Sequence, residues 1–212
     1  MRPATLVLAH GAGSGPWVFR SWLRSFPGIE VKTPDLQEGL EVARASMVDY
    51  SKRIVETALN AAAPVALCGW SMGGLAVLMA AGRVRPTHVV LLEPSPPAEV
   101  QGYSGSPGAV HGVFDPQLEY GPFPPGMAAR PESLVARVER KAGISVPALP
   151  CPSLVIYGDE YREVRGRAVA KLYGSEEHYF PGLNHWDLVL REDVAATIAE
   201  FLADTRMARA LT

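Results

Sequence analysis

The chain has 212 residues, 48% hydrophobic and 20% charged, which suits one globular domain with a well-buried core. A formal net charge of −2 with no dense Lys/Arg cluster argues against a nucleic-acid partner or an anionic membrane patch, and for a small-molecule substrate. No apolar run reaches the roughly 18–20 residues of a membrane span. The start "MRPATLVLAHG" enters a core strand at once, so a cytoplasmic protein without signal peptide or anchor is expected.

Along the chain, short β-rich apolar runs alternate with segments of helical period. This is the α/β pattern: a mostly parallel, doubly wound sheet of about six strands with helices on both faces. The first strand is "TLVLAH" (5–10), followed by "EVKTPDL" (30–36). Over 42–59, Met47, Ile54, Val55, Ala58 and Leu59 recur at three and four residues against Arg44, Lys52, Arg53 and Glu56, which predicts an amphipathic helix. "PVALCG" (64–69) is the next strand, and 72–81 is apolar all round, as a buried helix should be. "HVVLLE" (88–93) follows. From Pro94 to Gly126, prolines and glycines keep any helix or ladder from running far, yet Tyr103, Val110, Val113, Phe114, Tyr120, Phe123 and Met127 make the stretch too apolar for a disordered linker. With a helix over 131–143 it reads as a lid, spanning 94–147 of a single domain. "SLVIYG" (153–158) and "EHYF" (177–180) complete the strands. Val194, Ile198, Phe201 and Leu202 stripe a last helix over 191–203, and "TRMARALT" reads as a surface tail. Cys68 and Cys151 lack metal-ligand spacing and read as two buried thiols.

The chemistry centres on "CGWSMGG" (68–74). Gly69-Trp70-Ser71-Met72-Gly73 is G-x-S-x-G placed between a strand and an all-apolar helix. That setting strains the serine backbone and exposes its hydroxyl. Glycines two before and two after remove Cβ atoms that would collide in so tight a turn, and the following helix aims its N-terminal N–H groups at any oxyanion. His185 follows the last strand and the turn "PGLN" (181–184), so it falls at the carboxyl end of the sheet, where a base for Ser71 must be. The other histidines read as loop (His10), strand (His88, His178) and lid (His111) residues.

Three motifs carry a resemblance to the α/β-hydrolase family over nearly the whole chain: "HGAGSGPWVF" (10–19), "CGWSMGG", and "FPGLNHWDLV" (180–189). They resemble the family's His-Gly loop, nucleophile elbow and histidine loop, in a minimal form that starts at the family's third strand. The resemblance implies Ser71 as nucleophile, His185 as base, and the backbone amides of Ala12 and Met72 as oxyanion hole. For the acid, "GDEYREV" (158–164) matches Gly-x-x-Asp-x-x-Val at Gly158 and Val164 but puts Tyr161 at the aspartate position. Two main candidates follow: Glu93, at the end of "HVVLLE", where some members carry the acid, and Asp159, two residues short of the pattern. Glu160 and Glu163 remain behind them.

The implied reaction is acyl transfer through an acyl-enzyme, with no metal or organic cofactor. Trp17, Trp70, Phe123 and Trp186 lie nearest the motifs and suggest an apolar, small to medium acyl pocket. A serine at the elbow argues against dehalogenase or epoxide-hydrolase chemistry, which uses an aspartate there. The same triad supports esterases, thioesterases, lyases and cofactor-free peroxidases, and a catalytically silent binding protein is the reading from outside enzymology.

Overall fold

The computed structural model describes residues 1–102, 105–106 and 108–204; Tyr103 of the expected lid and the expected tail at 205–212 lie outside them. The elements in chain order are β1 (Thr5–Ala9), a 3-10 turn (Pro16–Trp22), β2 (Glu30–Lys32), α1 (Met47–Leu59), β3 (Val65–Trp70), α2 (Met72–Val84), β4 (Val89–Leu92) and α3 (Ala98–Gln101). Then come β5 (Val113–Phe114), α4 (Pro116–Tyr120), β6 (Glu132–Ser133), α5 (Leu134–Ala142), β7 (Ser153–Tyr157), a π-helical turn (Arg162–Arg167), α6 (Ala168–Tyr173), β8 (Glu176–Tyr179), α7 (Asp187–Leu190) and α8 (Glu192–Ala203).

Six strands form one sheet in the order β2-β1-β3-β4-β7-β8, and every neighbouring pair is parallel. Because side chains alternate across a strand, the sheet divides the core in two. Val7, Leu67, Leu91 and Val155 face α1 and α2, whereas Leu6, Cys68, Leu92 and Ile156 face the 3-10 turn, α7 and α8. At about 25 cal/mol per Å² of apolar area, burying both faces stabilises the fold far more than any single polar contact. The sheet order reverses between β1 and β3, so the loops leaving their carboxyl ends diverge and open a crevice. Those loops carry Ala12 and Ser71.

Several boundaries differ from the sequence reading: the strand expected over 30–36 is only Glu30–Lys32, the helix expected over 72–81 runs to Val84, and two others have a clear local cause. The 42–59 segment divides at Ser46, whose side chain accepts the Asp49 N–H while the Asp49 carboxylate accepts the Ser46 N–H; this capping box starts α1 at Met47. The 131–143 segment opens not as helix but as β6, because Glu132 and Ser133 pair with Phe114 and Val113 in a small antiparallel ribbon, and Ser133 then caps α5. The 94–147 insertion is fastened to the body along this line. The buried Glu132 carboxylate accepts the Gly13 N–H (2.9 Å), the Ser133 N–H (2.8 Å) and the Tyr50 hydroxyl. Arg130 pairs with both oxygens of Asp35 and donates to the Ser14 carbonyl.

Candidate active site

Ser71 stands between β3 and α2 with φ 55° and ψ −120°, a region L-residues rarely adopt. The turn closes only because its neighbours lack side chains. A Cβ on Gly69 would come within 2.4 Å of the Gly73 carbonyl oxygen, and one on Gly73 within 2.3 Å of the Ala9 carbonyl oxygen. The second contact also presses the elbow against the end of β1, bringing the Ala12 loop beside it. There His10 is buried; its Nε2 accepts the Leu36 N–H (3.1 Å), so its Nδ1–H donates to the Gly11 carbonyl (2.9 Å). Met72 supplies the first N–H of α2, one of the helix-end amides with no acceptor inside the helix.

His185 follows β8 on a loop held from three directions. Trp70 Nε1 donates to its carbonyl (3.1 Å), Glu160 accepts its N–H (3.0 Å), and its ring lies 4.9 Å from that of Trp70 and 5.2 Å from that of Tyr161. The Nδ1–H of His185 donates to Glu93 Oε2 at 2.6 Å. Glu93 is fully buried, its backbone is left-handed (φ 38°), and its other oxygen accepts the Gly158 N–H at 2.9 Å. Hydrogen-bonding Nδ1–H in this way leaves Nε2 as the basic nitrogen, and among the described residues that buried atom has no hydrogen-bond partner. Burial pushes the His185 pKa below its ordinary value of 6.5, although the bond to Glu93 works in the opposite sense. The ring is therefore neutral at pH 7 and able to take a proton.

Ser71, His185 and Ala12 open on one cavity of about 390 Å³. Of the aromatic residues nearest the motifs, Trp70, Phe123 and Trp186 line it as a contiguous row, with ring centroids 4.7 Å apart (Trp70–Trp186) and 4.6 Å apart (Phe123–Trp186). Trp17 does not. It lies on a separate surface hollow with Gly126, Met127 and Ala128, although it packs on the same side of the sheet as Trp70 and Trp186.

Asp159 is likewise away from His185. Its carboxylate is exposed and accepts the Tyr179 hydroxyl and the Gly182 N–H (2.9 Å), so it braces the histidine loop. His111 is exposed and lines none of the cavity. The wall is less apolar than expected, since Arg140, Lys141, Glu160 and Arg165 join it. Arg140 is on the helix that reads as lid, and a single charged residue on such a helix is ordinarily solvated. The Arg162–Arg167 turn has no periodicity that could have marked Arg165. Among the described residues no cluster of three or more potential metal ligands exists.

This fold and this site define a class. The alpha/beta hydrolase family model matches residues 6–200, and the chain belongs to that family. Among solved structures, it is similar to polyneuridine aldehyde esterase (17% identity, TM-score 0.65, covering 94% of this chain and 99% of that one). It is similar also to an Arabidopsis methylesterase (17%, 0.65, 98% and 98%) and to tomato methylketone synthase I complexed with 2-tridecanone (17%, 0.67, 95% and 98%). At such identities these neighbours share the fold. No curated protein sequence gives a significant match. Among the described residues no helix is long and apolar enough to cross a membrane.

Proposed function

We propose that this chain is a serine hydrolase that cleaves an ester or related acyl bond of a small to medium substrate. Ser71 is the nucleophile, His185 the general base and then acid, Glu93 the orienting carboxylate, and the Ala12 and Met72 amides the oxyanion donors. The observation that carries this reading is the 2.6 Å bond from His185 Nδ1–H to buried Glu93, which leaves a basic, unpartnered Nε2 on the cavity that Ser71 shares. His185 Nε2 takes the Ser71 hydroxyl proton as Oγ adds to the substrate carbonyl, and the carbonyl electron pair moves onto oxygen facing the two amides. Collapse expels the leaving alkoxide or thiolate, which receives the proton from His185. A water then gives its proton to Nε2 and attacks the acyl-enzyme, freeing the acid and restoring Ser71.

In this reading the 94–147 insertion serves as a lid, since Tyr120, Pro122, Phe123, Arg140 and Lys141 roof the cavity. The unpaired Cys68 and Cys151, the first buried and the second half-buried, suit a reducing, cytoplasmic setting.

The test is covalent labelling by a fluorophosphonate with the modified peptide mapped by mass spectrometry. The expected result is a single adduct on Ser71 and none on Ser71→Ala, which folds as the wild type does but turns over no activated ester. A Ser71→Ala protein that still hydrolyses esters overturns the assignment. Labelling of Ser71 without ester turnover moves the reading to a lyase or another non-hydrolytic use of the same groups.

A further inference from the structure

The cavity holds a feature that acyl transfer does not use. Two guanidinium groups line it from separate parts of the chain, Arg140 from α5 in the insertion and Arg165 from the π-helical turn after β7. Neither has a carboxylate partner among the described residues. Arg140 Nε donates to the Ala136 carbonyl of its own helix (3.3 Å), while its Nη2 is buried with no acceptor. Arg165 lies over the Tyr161 ring, 3.8 Å from its centroid, and among the described residues it forms no ion pair within salt-bridge distance and no side-chain hydrogen bond.

The carboxylates that could have satisfied them are engaged elsewhere. Glu119 is paired with Arg137 and Lys141, Glu160 accepts the His185 N–H, and Glu93 is held by His185 and Gly158. Glu160 lines the same cavity but forms no ion pair with either arginine among the described residues, so two cations face one partly enclosed space, repel each other and give up hydration without a paired carboxylate in return. Guanidinium donors are arranged to take a carboxylate through paired N–H···O bonds. An anion in the cavity would satisfy both.

We infer that the Arg140–Arg165 pair is a carboxylate-binding subsite, so that the substrate is an acyl compound bearing a free carboxylate, such as the monoester of a short dicarboxylic acid. This rests on the hydrolase reading above. The ester carbonyl is placed at Ser71, the hydrocarbon linker against Trp70, Phe123 and Trp186, and the free carboxylate at the two arginines. The subsite selects among substrates by charge.

The test compares kcat/KM for the monomethyl and dimethyl esters of succinate, glutarate and adipate, in the wild type and in Arg140→Gln, Arg165→Gln and the corresponding Lys variants. For at least one chain length the monoester is preferred by about ten-fold or more, the worth of one charge-assisted hydrogen bond. Each Gln variant reduces that ratio about ten-fold, each Lys variant retains part of it, and rising salt erodes it. Diesters turned over as well as monoesters at every length, or a ratio unmoved by the Gln variants, overturns the inference while leaving the hydrolase intact. Titration calorimetry of the same dicarboxylates against Ser71→Ala separates the two claims. Binding that disappears in Ser71→Ala/Arg165→Gln supports the subsite even where no ester is hydrolysed, and absence of binding by all three acids counts against it.

Discussion

Replacing Glu93 by Gln removes one charge and almost no volume. The carboxylate stands 2.6 Å from His185 Nδ1 and is fully buried, so water does not screen the imidazolium that forms as Ser71 loses its proton. At about 4 Å between charge centres and an effective dielectric near 20, that pairing is worth about 4 kcal/mol. At 1.36 kcal/mol per decade this is about a thousand-fold in rate, and loss of tautomer control adds to it, as in other triads. The Gln oxygen can still accept the Gly158 N–H, so folding is retained. The assay is kcat/KM on an activated ester beside the fluorophosphonate labelling rate, with Tm measured on the same preparations. The wild type requires neutral His185, so activity is full at pH 7 and is lost as pH falls through a value below 6.5. Removing the group that raises that value moves the acid limb of Glu93→Gln further down. Asp159→Asn, which alters only an exposed brace, stays within about three-fold of wild type, by the small worth of exposed polar contacts. If Glu93→Gln stays within ten-fold and Asp159→Asn falls instead, the assignment of the acid is wrong.

Two further substitutions probe the scaffold. Gly73→Ala puts a methyl 2.3 Å from the Ala9 carbonyl, a backbone atom that cannot step aside, and is expected to cost about 3 kcal/mol or more by overpacking; a Tm within two or three degrees of wild type, where about 2–4 °C corresponds to 1 kcal/mol in a domain of this size, would contradict the contact. Glu132→Gln turns an acceptor of three N–H or O–H groups into one that must also donate, expected to cost about 2–4 kcal/mol. Because one of those groups is the N–H of Gly13, next to Ala12, kcat should fall along with Tm; a loss of Tm with unchanged kcat separates the two loops.

Much of this architecture can be read from local pattern, because a strand buried on both faces is a short apolar run and an elbow is a fixed spacing of glycines about Ser71. The acid is a different kind of problem. Glu93 and Asp159 both end strands that neighbour each other in the sheet, and only tertiary register decides which carboxylate meets the ring of His185. Trp17 is a related case, since closeness in sequence to Ala12 does not tell which hollow a side chain lines, and Trp17 lies on a different one from Ala12. Arg140 and Arg165 carry no signal in the sequence, because a charged residue on an amphipathic helix such as α5 is ordinarily solvated and the Arg162–Arg167 turn has no period to read; what marks these two is the lack of carboxylate partners among the described residues.

On the lid reading proposed above, the fastening of the insertion limits how substrate would reach Ser71. Beyond Arg130 the segment is bolted to α1 and the Ala12 loop through Glu132 and Arg130, and α4 is strapped to α5 by Glu119 with Arg137 and Lys141. Between them, among the described residues, no hydrogen bond or ion pair joins 122–129 to the rest of the chain, and of the cavity-lining residues there, Pro122 and Phe123, the second leans on Trp186 through ring contact. Such a contact is worth about 1 kcal/mol beyond its area. On that lid reading, the way in passes this pair of aromatic rings, and moving Phe123 off Trp186 breaks no hydrogen bond or ion pair of residues 122–129 with the rest of the chain among the described residues.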